Sequence, residues 1–304
     1  MTRVLVAGVA VIDFVFHLDA MPRKAEKYRA REATITGGGN AANAATAIAR
    51  LGGRAALATR LGDDEVAGLI EAGLRREGIE TALVRRFADH HSAFSSVFVA
   101  GAERQIVSFR DWAMPREADW LEDGAGAFDV SPLDVALADT RWPEGAEVAM
   151  RLARERGLPA VIDAEAPLDG CEEALALATH VAFGAQGMRD FCGHDDLRAG
   201  LREAHERLPG IVLVTDGEHG TFWIADGERG GEHHEPAAAV EAVDTLAAGD
   251  VWHGAFALRL GKGDDLRGAV RYANAAASLK CTRRGGRDGA PTAAQVDSFL
   301  KGHA

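Results

Sequence analysis

Residues 243–256 read VDTLAAGDVWHGAF, a stretch in which small residues lead directly into an apolar segment with helical spacing. This pattern predicts a loop followed by a helix that begins near Ala248. The backbone amides of Ala247, Ala248 and Gly249 would then converge at the positive end of the helix dipole, where they could stabilise phosphoryl oxygens. Asp250 would lie in the first turn beside this anion hole, placed to accept a proton from an attacking hydroxyl, although an isolated Asp there is commonly only a cap.

On the N-terminal side of this stretch, short apolar runs of strand length alternate with longer Ala-, Leu-, Arg- and Glu-rich segments of helical spacing. Such alternation predicts βαβ units, and therefore an α/β fold with a parallel sheet and helices on both faces. The strand-length runs are 4–7, 55–58, 135–138, 160–162, 180–183 and 211–214, and clear helical segments are 65–77, 147–156 and 195–207.

Two regions interrupt this alternation. Residues 14–35 and 91–109 instead show short alternating strands around turns, as β-hairpins do. Both are explained by a small β lid inserted into the α/β body. No repeat or long linker divides the chain, so we expect one domain over residues 1–304 in which sheet and lid share one cleft.

Composition limits the classes of function. Lys and Arg number 34 against 46 Asp and Glu, and the net charge of −12 makes nucleic acid an unfavourable partner. The odd set of cysteines (Cys171, Cys192 and Cys281) shows no CxxC spacing, which disfavours a disulfide framework or zinc cluster and predicts a reducing cytoplasm. Asp13 interrupts the first apolar run and no stretch is long enough to cross a bilayer, so we expect no signal peptide and no membrane association.

A second stretch, GGGNAANAA at positions 37–45, comes just before an Ala-rich segment with helical spacing. Consecutive glycines before a helix allow the backbone to approach a ligand closely, although plain turn geometry gives the same pattern. Asp13 follows the first predicted strand in an otherwise apolar run, where a carboxylate is costly unless it finds partners. It is either a ligand-binding group or a turn residue at a strand end.

These three segments resemble, in the same order, the signatures of the ribokinase-like (PfkB) carbohydrate kinases. The stretch at 244–250 matches the family's Asp-Thr-x-Gly-Ala-Gly-Asp except at Ala247, where the family usually has Gly. If position 247 needs a positive φ, Ala strains the loop by roughly 1 kcal/mol or more. The resemblance implies a three-layer α/β/α sandwich with a mainly parallel sheet, ATP as phosphoryl donor, and Asp250 as catalytic base.

The same resemblance implies roles for other positions. Asp13 would clamp sugar hydroxyls, while Gly38, Gly39 and Asn43 would border the sugar. The stretch VTDGEHG at 214–220 resembles the family's Thr-x-Gly-x-x-Gly nucleotide loop, although a hairpin turn would look the same, and TRRGGRDGAP at 282–291 lies where the family encloses adenine. The residues so assigned to the nucleotide are Thr215, Gly217, Gly220, Asn274 and Gly286.

One family element is missing. Where the family often has Asn-x-x-Glu, which organises Mg²⁺ and phosphate, residues 183–188 read FGAQGM and offer no carboxylate. Mg²⁺ would then be held mainly by the ATP phosphates and water, so no residue is assigned as a metal ligand. Four histidines, His219, His233, His234 and His253, show no metal-ligand spacing and are expected in surface or capping roles.

Further stretches, including GVAVID at 8–13, EKY at 26–28 and LADTRW at 137–142, resemble the sulfofructose kinases within this family. That resemblance implies that Lys27 and Arg141 grip a sulfonate, with Ser108 in place of an expected lid asparagine, and that 6-deoxy-6-sulfofructose is converted to its 1-phosphate. An Arg fork and a Lys ammonium suit such an anion, although either could equally be a solvated surface cation.

Alternatives remain open from the sequence. Fructose or another neutral ketose is the second substrate, and a non-catalytic sugar- or nucleotide-binding homologue is the competing class, because of Ala247 and the missing Asn-x-x-Glu. A nicotinamide dehydrogenase is disfavoured, since no GxGxxG follows the first strand. Exposed lid strands make a homodimer through the lid plausible.

Overall fold

A nine-stranded sheet forms the centre of the computed structural model, which describes residues 1–101, 103–122, 132–225 and 231–302. Its strand order is β13-β12-β11-β10-β9-β8-β1-β4-β5. Neighbouring strands from β11 to β5 pair in parallel, whereas β12 pairs antiparallel with both β11 and β13. The strands are β1 (Arg3–Ala7), β4 (Arg54–Gly62), β5 (Val84–Phe87), β8 (Val135–Asp139), β9 (Ala160–Ala164), β10 (His180–Gly184), β11 (Ile211–Thr215), β12 (Thr221–Ile224) and β13 (Glu232–Glu235).

Helices cover both faces of this sheet, as the alternating pattern predicts. The helices are α1 (Asn40–Arg50), α2 (Glu65–Arg76), α3 (Asp119–Glu122), α4 (Pro143–Glu155), α5 (Glu172–Leu177), α6 (Ala185–Cys192), α7 (Leu197–Arg207), α8 (Ala248–Gly261), α9 (Leu266–Cys281) and α10 (Ala293–Gly302). One apolar core packs α1, α2, α8, α9 and α10 on one face, and a second packs α3 to α7 on the other. The three-layer α/β/α sandwich is therefore confirmed.

A second sheet of four described strands forms the lid. The strands are β2 (Val11–His17), β3 (Glu32–Gly38), β6 (Phe94–Ala100) and β7 (Glu103–Phe109), in the order β3-β2-β6-β7. Strands β2 and β3 pair antiparallel, as do β6 and β7, while β2 and β6 pair in parallel and join the two halves. The two predicted lid regions thus come together in one sheet, and the single domain over 1–304 stays a prediction.

Helix α8 is buried on all sides, which explains its nearly continuous apolar sequence. It packs between α1 and α9, and Gly254 allows the close approach to α1, because a Cβ there would lie 2.5 Å from the Ala44 carbonyl oxygen. The position of the α8 N-terminus is consequently fixed by the core. Within the described ranges, none of the helices combines the length and apolar content needed to cross a membrane.

Candidate active site

A cleft lies between the lid and the N-termini of α1 and α8, where the three sequence segments meet. Most of the predicted sugar and phosphoryl residues line it, together with several that the sequence did not indicate. The predicted residues in its wall are Asp13, Gly38, Gly39, Asn43, Ala247, Ala248, Gly249, Asp250 and Gly286. The structure therefore brings residues from both ends of the chain into one site.

The loop before α8 has the geometry of an anion hole. Helix α8 begins at Ala248, as predicted, and Ala247 caps it in the left-handed region, with φ 63° and ψ 12°. Position 247 does need a positive φ, so Ala costs about 1 kcal/mol relative to Gly there. Ala248 donates its amide to the Thr245 carbonyl at 3.1 Å, so the prediction that this amide is free for an anion is wrong in this conformation.

Other amides take that place. In the described part of the chain, the amides of Ala247, Gly249 and Asp250 have no backbone or side-chain acceptor, and all three residues line the cleft. Unpaired amides at a helix N-terminus attract anions through both hydrogen bonding and the helix dipole. The amides open to an anion are thus those of positions 247, 249 and 250, while Ala248 closes the turn, and the role as an anion hole stays a prediction.

Asp250 is half-buried at the base of this loop and lines the cleft. Burial, followed by repulsion from Asp163, raises the pKa of Asp250 to about 7, whereas the hydrogen bond from Asn43 lowers it. That bond runs from Asn43 Nδ2 to Asp250 Oδ2 at 2.7 Å. A carboxylate with a pKa near the working pH is well suited to take a proton from a hydroxyl and later release it.

Asn43 also has a hydrogen-bonding atom without a partner among the described residues. This atom is Oδ1, which is buried together with the rest of the residue, of which only 8% is exposed. Such an unpaired acceptor is costly unless a ligand supplies the donor. Helix α1 is placed for this by Gly39, its N-cap, whose φ of 92° is unfavourable for other residues. Asn43 thus lies beside Asp250 with one acceptor unpaired, and its contact with a sugar hydroxyl stays a prediction.

A polar row crosses the lid sheet, and two of its four residues, Asp13 and Thr36, line the opposite wall of the cleft. Strand pairing aligns Thr36, Asp13, Ser95 and Ser108 across its four strands. Burial raises the pKa of Asp13, an effect opposed by the Ser95 hydrogen bond and by the positive charge of Arg287. Ser95 and Ser108 bond to each other at 3.1 Å. Asp13 thus occupies the lid side of the cleft as predicted, whereas Ser108 lies at the far end of the row.

Arg141 lines a second cavity and contacts one residue of the cleft wall, Glu165. Its backbone amide donates to Asp139 Oδ1 at 2.8 Å, and Asp139 Oδ2 accepts the Ala41 amide at 3.0 Å, so Arg141 is tied to the start of α1. Its guanidinium donates to Glu165 Oε2 at 3.0 Å across the cleft edge. Lys27, in contrast, is exposed on the lid loop and lines neither cavity among the described residues.

The second cavity is rich in arginine. Arg60, Arg110 and Arg116 line it together with Arg141. Arg116 pairs with Glu144, but Arg60 and Arg110 form no ion pair in the described part of the chain and bond instead to the carbonyls of Pro115 and Arg141. Burial, with added repulsion from Arg110, lowers the pKa of Arg60 to about 10. An anion entering this cavity would relieve both effects.

The predicted nucleotide residues are more dispersed. Gly217 and Gly220 form the β11–β12 hairpin turn, and a Cβ at Gly220 would lie 2.2 Å from the Glu235 carbonyl oxygen. Thr215, at the end of β11, precedes that turn. The hairpin alternative is thus confirmed, and nucleotide contact by these three residues stays a prediction.

Asn274 requires a correction. Its Oδ1 accepts from Thr221 and Trp252 at 2.7 and 2.8 Å, and its Nδ2 donates to the carbonyls of Glu235 and Pro236. The amide is therefore saturated and cannot also hydrogen bond to adenine. Asn274 instead joins α9 to α8, β12 and the end of β13.

Several site residues escaped the sequence interpretation. Glu165 and Arg287 line the cleft, and Asp163 lies beneath it. His253, expected in a surface or capping role, is buried, and its Nδ1 donates to the Gly249 carbonyl at 2.8 Å. Acidic residues directly after β9 were a usable signal for Glu165, whereas no local pattern indicated His253 or Arg287.

Similarity to known proteins agrees with this geometry. The model of the pfkB family carbohydrate kinases matches residues 1–293. Ribokinase of Bacillus subtilis is 26% identical over 99% of this chain and 100% of its own length, and the probable fructokinase-5 of Arabidopsis thaliana is 28% identical over 87% and 88%. The crystal structure of a ribokinase candidate from Agrobacterium tumefaciens superposes with a TM-score of 0.91 at 36% identity, covering 99% of this chain and 98% of that one.

Proposed function

The chain belongs to the pfkB family of ATP-dependent carbohydrate kinases, and we propose that its acceptor is the primary hydroxyl of a ketose that carries an anionic group at its far end. The best specific candidate is 6-deoxy-6-sulfofructose, converted to its 1-phosphate. The observation that carries the proposal is the position of Arg141, which lines the arginine-lined cavity and donates to Glu165 in the wall of the cleft.

In this proposal, the sugar binds with its reacting hydroxyl against Asp250. The Asn43 Oδ1 accepts a second hydroxyl, and Asp13 holds further hydroxyls from the lid side. Asp250 takes the proton as the hydroxyl oxygen attacks the γ-phosphorus of ATP, and the bond to the bridging oxygen breaks to release ADP. The amides of Ala247, Gly249 and Asp250 stabilise the charge on the transferred phosphoryl oxygens.

Mg²⁺ would accompany the ATP phosphates and neutralise part of their charge. The cleft fits such an ion, because Glu165 presents a carboxylate that is 45% exposed at its edge, and Asp163 lies behind it. Glu165 supplies the acid that residues 183–188 lack. Its Oε2 accepts a hydrogen bond from Asn40 at 2.6 Å, so Glu165 would hold the ion either directly or through water.

The anionic end of the sugar would lie beyond Arg141. A sulfonate there would receive the Arg141 guanidinium and lie in the field of Arg60 and Arg110, whose charges have no carboxylate partner among the described residues. Lys27 would join this site when the lid loop folds over the sugar. Ser108, at the end of the polar row, would add a hydroxyl.

We also propose a homodimer through the lid, in the cytoplasm. On the lid face away from Asp13, the side chains of Ile35, Val107 and Phe109 are 56%, 64% and 42% exposed. Pairing of two such faces would cover them. Sedimentation equilibrium should show a dimer that Val107→Glu dissociates, and a monomeric wild type would contradict this part.

The substrate is tested by ADP release with ATP and Mg²⁺ over 6-deoxy-6-sulfofructose, fructose, fructose 6-phosphate and a nucleoside. We expect the highest kcat/KM with the sulfonated ketose. Replacement of Arg141 by Gln should lower that value about 10- to 100-fold, the worth of a charge-assisted hydrogen bond, and change the value for fructose little. Arg271→Gln, an exposed arginine on α9, is the matched control.

Two results would replace the proposal. Preference for fructose, with equal effects of Arg141→Gln on both sugars, would assign a neutral ketose. ATP binding without turnover of any sugar would favour the non-catalytic homologue, and nucleotide binding would then be the retained property.

A further inference from the structure

Lys280, in the last turn of α9, is completely buried, with 0% of its surface exposed. Lysines are almost never fully buried unless their charge is paired. Its Nζ donates to the Asp244 carbonyl at 2.8 Å and to the Arg283 carbonyl at 3.3 Å, and it lies 3.3 Å from Asp244 Oδ2. The ammonium is thus enclosed by two carbonyl oxygens and one carboxylate oxygen, the donor set that a monovalent metal cation would take.

Asp244 connects this ammonium to the anion-hole loop. Its Oδ1 accepts the Leu246 amide at 2.9 Å, and its Oδ2 accepts the amides of Gly285 and Gly286 at 3.0 and 3.2 Å. Leu246 and Gly286 both line the catalytic cleft. One carboxylate, neutralised by Lys280, therefore holds together the loop that begins the anion hole and the turn that closes the cleft beside Arg287.

We propose that Lys280 is a positioning residue that acts as a built-in monovalent cation. Its ammonium holds the 244–249 loop and the 283–286 turn in the geometry that phosphoryl transfer needs, so the kinase does not depend on added K⁺ or NH₄⁺. An ammonium group and a K⁺ ion carry the same charge, and K⁺ is likewise bound by carbonyl oxygens in proteins. Lys280 touches no substrate and acts only through Asp244 and the two backbone segments.

The energetics favour this role over simple packing. Removal of one member of a buried charge pair leaves the other charge uncompensated, which is strongly destabilising for the group that remains. Without Lys280, the Asp244 carboxylate would face two carbonyl oxygens across an empty space. Lys280→Ala leaves that space open to a cation, whereas Lys280→Met fills it with an uncharged chain of similar length.

The first test measures kcat with the best sugar in K⁺, NH₄⁺, Na⁺ and tetramethylammonium chlorides at matched ionic strength. We expect the wild type to vary less than about twofold among these salts. Lys280→Ala should lose about tenfold or more in tetramethylammonium and recover in K⁺ or NH₄⁺, while Lys280→Met loses activity and does not recover. A wild type that requires K⁺, or a Lys280→Ala enzyme as active as wild type in tetramethylammonium, would overturn the proposal.

A second test needs no sugar, so it remains informative if the proposed substrate is wrong. Thermal unfolding is followed as KCl replaces tetramethylammonium chloride. A cation that binds only the folded protein raises its midpoint. We expect K⁺ to raise the midpoint of Lys280→Ala and to leave those of the wild type and Lys280→Met unchanged. Equal responses of the three proteins would refute a cation site at Nζ, and failure of Lys280→Ala to fold leaves the wild-type salt series as the deciding result.

Discussion

At the α8 end of the cleft, Asp250 is half-buried and bonded to Asn43, and the loop before it is held by Asp244 and Lys280. At the lid end, Lys27 and Ser108 are exposed, and Ser108 bonds only to a neighbouring lid serine among the described residues. In the proposed mechanism the chemistry therefore lies in the packed body, whereas recognition of the sugar's far end depends partly on groups with few fixed contacts. Changes at the α8 end should alter kcat, and changes in the lid should mainly alter KM.

The largest effect is expected at Asp250. Asp250→Asn removes the proton acceptor and should lower kcat by about 10²- to 10⁴-fold, as general bases typically contribute. Because burial and Asp163 raise the pKa of Asp250, its charged form is disfavoured in the folded state, so the variant should unfold at or above the wild-type temperature at pH 8. Steady-state kinetics and calorimetry check both, with the exposed Asp297→Asn as control. A kcat within a few-fold of wild type would show that the base lies elsewhere.

A smaller effect at the same end concerns backbone strain. Ala247 adopts φ 63°, so Ala247→Gly should stabilise the fold by about 1 kcal/mol. Ala248→Gly, one residue later in the first turn of α8, should instead destabilise it by about 0.5 to 1 kcal/mol. Urea denaturation of the two variants gives this comparison directly. If both variants changed the free energy of unfolding in the same direction, the left-handed conformation at position 247 would be contradicted.

The smallest effect is expected in the lid. Ser108→Ala removes one exposed hydroxyl and should raise KM for the sulfonated ketose less than about threefold, without changing kcat. Initial-rate kinetics at saturating ATP test this. A large fall in kcat would mean that the lid end takes part in the chemistry, and the contrast between the two ends would then be lost.

The sequence predicted those features of the two ends that depend on residues close together along the chain. The start of α8, six strands of the large sheet and the two lid regions depend on nearby periodicity and small residues, and they were predicted closely, whereas β5, β12 and β13 were not predicted. The contacts of Lys280 with Asp244, of Asn274 with Trp252 and of His253 with Ala182 join residues that are distant in sequence. Only tertiary packing brings them together, so Asn274 was assigned to the nucleotide from the family resemblance and the buried Lys280 was not identified.

The arginine-lined cavity shows the same limit. Arg141 was singled out because of its neighbours in the sequence, but Arg60 and Arg110 come from different segments and meet it only in the folded chain. Likewise, Ala247 could be recognised as a departure from the family pattern, whereas the sign of its φ required the structure.

The central claim, that Asp250 is the base and is tuned by Asn43, is tested most directly by the pH dependence of kcat/KM for the sugar. Asp250 must be ionised to accept a proton, so kcat/KM should rise with pH through an apparent pKa of about 7. The Asn43 hydrogen bond lowers that pKa, so Asn43→Ala should move the rise to higher pH, whereas Thr46→Ser, on the same helix with its hydroxyl bonded to the Ala42 carbonyl, should leave it in place. A flat profile between pH 5.5 and 8.5, or a rise that Asn43→Ala leaves unmoved, would contradict the assignment.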